Sequence, residues 1–368
     1  MSFRPLRLLT PLMMLLSLLT SGLGTSAAPT AVMEPHQMWG GMLMMPSSFT
    51  VDVYASGLSN PRFMAFRPSD GMLFIVDSGG TIYTVPERGK SQVFTSGLQL
   101  PSSLAFHGDY LYVGETSEVV RFHVPDNAIV PDGPKEVIIP DLPTSGYHWT
   151  RTVAFGPDDK LYVAVGSDCE SCVEDDPRRG AISVYDADGS NGRLFATGLR
   201  NPVGLAWQPG TNQMWVTNNE NDETGDDYLN SITDGTFYGW PYCYGPTPNA
   251  HYGDATRCAN VPTYAAALGA HSTPLGLTFG NTFASPAPYQ QSIYVAEHGG
   301  YEGGTGYRVA RIPLVNGKAG KPEDFIIGWR VDEQQIWGRP AGITIGPDGA
   351  MYLTDDMRGM LYRITMQQ

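Results

Sequence analysis

The stretch Asn60-Pro61-Arg62-Phe63-Met64-Ala65-Phe66, a turn at Pro68-Ser69-Asp70-Gly71, and then Met72-Leu73-Phe74-Ile75-Val76-Asp77 decides the architecture, because it recurs along the chain. Further copies run from Pro101 to Phe106 with Leu111 to Glu115, from Thr150 to Phe155 with Leu161 to Val165, and from Pro202 to Trp207 with Met214 to Thr217. The last two are Pro274 to Phe279 with Ile293 to Glu297 and Pro340 to Ile345 with Met351 to Asp355. A third apolar strand follows, clearest at Thr81 to Val85, Val119 to Val124, Tyr307 to Pro313 and Met360 to Ile364. Gln92 to Ser96, Glu136 to Ile139 and Arg193 to Ala196 read as a fourth. A four-stranded unit repeated six times predicts an all-β, six-bladed β-propeller with four-stranded antiparallel blades.

The copies begin 40, 49, 52, 72 and 66 residues apart, so those starting at Pro202 and Pro274 carry insertions. Phe49 to Ala55 reads as the strand that completes the last blade and removes an open sheet edge. The predicted organisation is a secretory signal peptide over 1–28, a Met-rich segment over 29–48, partly disordered, and the propeller over 49–368.

The signal peptide is read from Arg4 and Arg7, the apolar run Leu8 to Leu19 and the small residues Ser26, Ala27 and Ala28. It predicts a secreted or periplasmic protein, and no later stretch is long and apolar enough to suggest a membrane span in the mature chain. With 43 Gly, 29 Pro, 19 Tyr and only 16% charged residues, the composition favours strands and turns over surface helix. The net charge of −14 argues against nucleic acid as a partner and is compatible with calcium and neutral sugars. Cys169, Cys172, Cys243 and Cys258 read first as disulfides in an exported chain, with the sequence-local pairing the simplest. A redox pair or half of a zinc site are the rival readings of Cys169 and Cys172.

In a propeller the innermost strands all start at one face, so the residues before them converge on the axis. One and two places before the Pro position stand Ser59-Asn60, Gln99-Leu100, His148-Trp149, Arg200-Asn201, Ser272-Thr273 and Gly338-Arg339. A turn needs only Gly, Pro, Asn or Ser there, and His148, Arg200 and Arg339 exceed that need. The second strand returns to the same face and ends in Asp77, Glu115, Asn218, Glu297 with His298, and Asp355 with Asp356. One mouth thus gathers a histidine, arginines and carboxylates, although each alone has a structural use in a loop or ion pair. The acidic loop Glu220 to Asp227 offers the oxygen donors calcium prefers and equally reads as a solvated charge run.

The segments His148-Trp149-Thr150-Arg151, Asp175-Asp176-Pro177-Arg178-Arg179, Gly198-Leu199-Arg200-Asn201-Pro202, Tyr238-Gly239-Trp240-Pro241-Tyr242-Cys243 and Trp337-Gly338-Arg339-Pro340 resemble, in this order, the glucose/sorbosone dehydrogenase family. The resemblance covers nearly all of the chain from Phe49 onward and implies a pyrroloquinoline quinone (PQQ) and calcium dependent oxidation of an aldose or sugar aldehyde. It implies His148 as the general base, Arg200, Asn201, Arg339 and His298 as cofactor contacts, and the backbone carbonyls of Gly239, Trp240 and Pro241 as calcium ligands. It also implies an electron acceptor such as a cytochrome, a quinone or a dye. The chain departs from the soluble glucose enzymes in carrying Tyr147 where they have an acidic residue, and His298 where they have a lysine. Two other readings are a calcium-dependent propeller lactonase, which needs side-chain carboxylates around an axial metal, and a ligand-binding propeller without catalysis.

Overall fold

The computed structural model describes residues 1, 31–220, 225–300 and 304–367. The expected signal peptide lies outside the described residues, apart from Met1. Over the compact unit Ala31–Gln368 the six repeats form six antiparallel blades of at least four strands. The innermost strands are Pro61–Phe66, Ser103–His107, Arg151–Phe155, Asn201–Trp207, Pro274–Phe279 and Pro340–Ile345, in the phase the repeats predict. They head blades 1 to 6. Blade 3 gains a short parallel fifth strand, Thr236–Phe237, from the insertion that follows it.

The ring closes through Phe49–Ser56, which pairs antiparallel with Met360–Met366 from Phe49 opposite Met366 to Ser56 opposite Met360. First and last parts of the repeat region thus share one blade. No blade can bury its two faces alone, and six of the apolar clusters among the described residues accordingly lie one at each blade-to-blade interface. The largest, between blades 5 and 6, stacks Phe49 on Phe283 at 5.3 Å between ring centroids and holds Trp329 and Tyr362 fully buried.

Close approach at the axis explains a Pro-x-Gly signature in three inner strands. A Cβ on Gly204, Gly276 or Gly342 would meet the backbone of the next blade's inner strand, at Leu275, Ala341 and Arg62 respectively. Each of these strands bulges there, between Pro202 and Leu205, Pro274 and Leu277, and Pro340 and Ile343. Hydroxyls bridge the gap: Thr217 Oγ1 donates to Leu275 O at 2.8 Å and Thr354 Oγ1 to Arg62 O at 2.6 Å.

The Met-rich segment is a correction to the sequence reading. Rather than being disordered, Met33–Met38 and Gly41–Pro46 form a hairpin whose Met44 exchanges backbone hydrogen bonds with Ile327 at 2.8 and 3.0 Å. Its Leu43 and Met45 are fully buried against the blade 5 and 6 cluster. The hairpin packs on an interface that exists only once the ring has closed. Both local disulfides, Cys169–Cys172 and Cys243–Cys258, are present as the simplest pairing predicts. No helix among the described residues is long and apolar enough to cross a membrane.

Leu43→Ala should therefore cost about 2–5 kcal/mol of stability, the range for deleting a buried leucine side chain. Urea unfolding measures it; an unchanged midpoint would show that the hairpin is no part of the cooperative fold.

Candidate active site

The loops that enter the inner strands must have their backbone N–H groups satisfied at a crowded mouth, and the ends of the second strands supply the acceptors. Asp77 accepts from Ser59 and Asn60 N–H at 2.9 and 2.7 Å, Glu115 from Gln99 at 2.7 Å and Asp355 from Arg339 at 2.9 Å. Asn218 Oδ1 serves Asn201 N–H at 3.1 Å; in blade 5 the strand-end Glu297 pairs with Arg308 at 2.6 Å, and Thr273 N–H is served at 2.7 Å by Asp227 from the third strand of blade 4. Glu297 apart, these side chains hold loops. Blade 3 departs further: its corresponding strand-end position is the apolar Val165, and at Gly166, which follows it, a Cβ would collide with Asn201 Oδ1 and come within 2.6 Å of His148 Cβ.

The absence of a side chain at Gly166 leaves room for His148. Its Nδ1 lies 2.8 Å from Ser167 O and 3.0 Å from Ser167 Oγ. A carbonyl only accepts, so Nδ1 carries the proton and Nε2 is left with its lone pair. Arg151, fully buried in the adjoining strand, donates to the carbonyls of His148 and Thr150 at 2.9 and 2.8 Å and fixes the loop. Burial, and then the positive charge of Arg200 with smaller contributions from Arg151 and Arg179, push the His148 pKa down to about 3. The imidazole is neutral across the physiological range.

His148 opens on an axial cavity of about 340 Å³, within the range of small-molecule sites. Also lining it are Asn60, Arg62, Trp149, Asn201, Asn219, Thr273, His298, Arg339 and Asp356. Three of the expected cofactor contacts, Asn201, Arg339 and His298, are thus brought together with the expected base. Asp356 is the anionic anchor, 2.6 Å from Arg62 Nη1 and 3.0 Å from His298 Nε2. Burial works against its charge, but His298 and Arg62 more than offset that and hold its pKa at about 2. His298 spans the gap to Arg339, whose Nη1 lies 3.4 Å from its Nδ1. Burial, with help from Arg62 and Arg339, lowers the His298 pKa despite Asp356, so it relays polarity between an arginine and a carboxylate rather than adding a charge.

Arg200 does not line this cavity. It lies behind the wall, its Nη2 2.5 Å from the Glu170 carboxylate and its Nη1 donating to Glu220 O at 2.8 Å. Its positive charge still reaches His148. The Gly239–Pro241 segment also lies outside the lining and packs behind the Arg200 loop, Trp240 N–H donating to Gly198 O at 2.8 Å. The carbonyl of Gly239 already accepts the N–H groups of Tyr242 and Cys243, each at 2.9 Å. In the acidic loop, Asp227 is buried and spends its carboxylate on the N–H groups of Glu220 and Thr273.

Sequence reasoning placed Asn60 and Thr273 at the mouth by their phase and missed Arg62 and Asn219 as lining residues. Arg62 had a legible signal: one place after the Pro position the copies read Arg62, Ser102, Arg151, Val203, Leu275 and Ala341, and only the arginines break an apolar or small pattern. Asn219 follows the strand-end residue just as His298 and Asp356 do.

Fold and site together define a six-bladed propeller whose polar chemistry sits at one axial mouth, around a neutral imidazole, two guanidiniums and buried amides. The chain belongs to the TrAA12-like family, whose model matches residues 43–234, and the resemblance read from its motifs is borne out. It is 26% identical over 356 residues to an uncharacterized protein of Borreliella burgdorferi, covering 88% of this chain and 90% of that one. It is 27% identical over 186 residues to an aldose sugar dehydrogenase of Escherichia coli, covering 48% of this chain and 45% of that one. Among solved structures it resembles the holo PQQ domain of a pyranose dehydrogenase from Coprinopsis cinerea, with a TM-score of 0.77 and 20% identity over 92% of this chain and 99% of the other.

Two outcomes check the geometry. Imidazole NMR should show His148 as the Nδ1–H tautomer with no titration between pH 4 and 8, as its pKa of about 3 demands, whereas an unperturbed histidine titrates near 6.5. Gly166→Ala should displace His148 and disturb that tautomer while leaving the far-UV spectrum of the propeller intact.

Proposed function

We propose that the chain is a PQQ-dependent dehydrogenase that oxidises an aldose or sugar aldehyde at the axial cavity, with His148 as general base. The observation that carries this is the His148 tautomer: Nδ1–H is committed to Ser167, so Nε2 is a fixed acceptor in a cavity rich in donors. The residues present fit a planar tricarboxylate. Arg339 and Arg62 bring guanidinium groups, which match carboxylates well. Asn201 and Asn219 each bury an amide oxygen, and Arg62 an Nε, without a hydrogen-bond partner among the described residues, polar capacity that a ligand would satisfy. Bound there, PQQ supplies the hydride acceptor.

His148 Nε2 takes the hydroxyl proton of the sugar as hydride leaves the same carbon, giving a lactone from an aldose and an acid from a hydrated aldehyde. Burial, and then Arg200, lower the His148 pKa to about 3, and a polyanion bound in the same cavity adds negative charge that raises it, making the base stronger when it is needed. Tyr147, 69% exposed at the mouth beside His148, offers an aromatic face to a sugar ring. Calcium, if held by the Gly239–Pro241 segment, falls to the carbonyls of Trp240 and Pro241, because that of Gly239 is occupied. Export to the periplasm or the medium is proposed from the leader at 1–28 and agrees with two disulfides. A cytochrome, a quinone or a dye would take the electrons. The lactonase reading is disfavoured because Asp77, Glu115 and Asp355 spend their carboxylates on backbone N–H groups.

Reconstitution of the purified chain with PQQ and calcium should give sugar-dependent dye reduction, and His148→Ala should lower kcat by about 10²- to 10⁴-fold. Absence of quinone binding, or a His148→Ala enzyme as fast as the parent, would sink this reading.

A further inference from the structure

The irregular loop from Ser167 to Glu174 touches both sides of the proposed site and belongs to no strand. Ser167 O and Oγ meet His148 Nδ1 at 2.8 and 3.0 Å, and Ser167 Oγ donates onward to Cys169 O at 2.8 Å. One residue further, the Asp168 carbonyl accepts Tyr147 N–H at 3.1 Å, fixing the backbone beside the histidine. Glu170 then takes Arg200 twice, through its carbonyl at 3.1 Å and its carboxylate at 2.5 Å. Ser171 O accepts from Tyr252 OH at 3.3 Å, which ties the loop to the blade 4 insertion. Across these contacts runs the Cys169–Cys172 disulfide.

An irregular loop of this kind would ordinarily sample many conformations, and a crosslink between residues three apart removes most of them. Here the residues it restrains are the acceptors for the base and for the arginine whose charge depresses that base. We propose that the Cys169–Cys172 loop is a positioning element that fixes the tautomer of His148 and the seat of Arg200 together, through Ser167 and Glu170. Neither cysteine touches the reacting atoms. The disulfide acts by keeping two acceptors at a set spacing, and its loss lets the imidazole rotate and swap tautomers, so that Nε2 is no longer always the free acceptor. The kinetic part rests on the dehydrogenase reading above; the tautomer part does not.

The test is the double variant Cys169→Ser/Cys172→Ser of the full chain, compared with the parent by imidazole NMR, by PQQ titration and by steady-state kinetics. Expected are an unchanged far-UV spectrum, a mixed His148 tautomer, and kcat lower by about 10- to 100-fold, the usual cost of misplacing a catalytic group. The KM for sugar should stay within about twofold, because the loop does not line the mouth and uniform substrate binding is untouched. Should the variant fail to fold, mild phosphine reduction of the parent gives the same comparison. The half-buried Cys169 and Cys172 react before Cys243 and Cys258, which are 1% and 0% exposed, and reoxidation should restore the spectrum. A pure Nδ1–H tautomer in the reduced or substituted protein overturns the proposal. If the parent binds no quinone, the dehydrogenase reading falls while the tautomer measurement still decides the role of the loop.

Discussion

The inner strands of this molecule come closer to one another than side chains allow, and most of its architecture follows from that crowding. Where Leu275, Ala341 and Arg62 present their backbone to the preceding blade, only glycine fits opposite, at Gly204, Gly276 and Gly342. The carbonyls left outside any sheet ladder are met by threonine and serine hydroxyls crossing between blades, as from Thr152 to Val203 at 2.5 Å and from Ser103 to Arg151 at 2.8 Å. Buried carbonyls without such partners would each cost on the order of a hydrogen bond's desolvation penalty. Four of the six inner strands, those of blades 1, 4, 5 and 6, bulge where they start at the axis, and a bulge bends its strand.

The mouth at which the inner strands start has its own hydrogen-bond demand. Asp77, Glu115, Asn218 and Asp355 answer it with one recurring device, a strand-end acceptor for the loop N–H groups. Blade 3 abandons the device, with the apolar Val165 at its strand end, and Gly166 beside it leaves the space that His148 fills. The departure from the rule is compensated nearby. Arg151 and the Ser167 loop take over the work of holding the backbone and the ring.

The electrostatics invert between surface and site. A chain with a net charge of −14 concentrates Arg62, Arg151, Arg179, Arg200 and Arg339 in and behind one mouth, with Asp356 as its principal counter-charge. In a low-dielectric cavity such charges reach further than at the surface, so Arg200, without lining the cavity, adds to the lowering of the His148 pKa that burial begins. An anionic ligand enters a field prepared for it, and its arrival changes the basicity of the group beside it.

Repetition was legible in the sequence because each blade meets the same packing problem and solves it with the same residues. Six copies therefore announced the fold, the phase of the inner strands, and through that phase the gathering of His148, Asn201, His298 and Arg339 at one mouth. Tertiary structure decided what repetition cannot carry, namely which neighbour each side chain meets. It placed Arg200 behind the wall because Glu170, thirty residues earlier, reaches it first. It found a partner for the Met-rich hairpin because the blade 5 and 6 interface is assembled from residues hundreds of positions apart. It set His298 between Asp356 and Arg339, where burial lowers its pKa despite the carboxylate. Local pattern fixes what each blade must be; the charge and orientation of a buried group depend on distances that exist only in the closed ring.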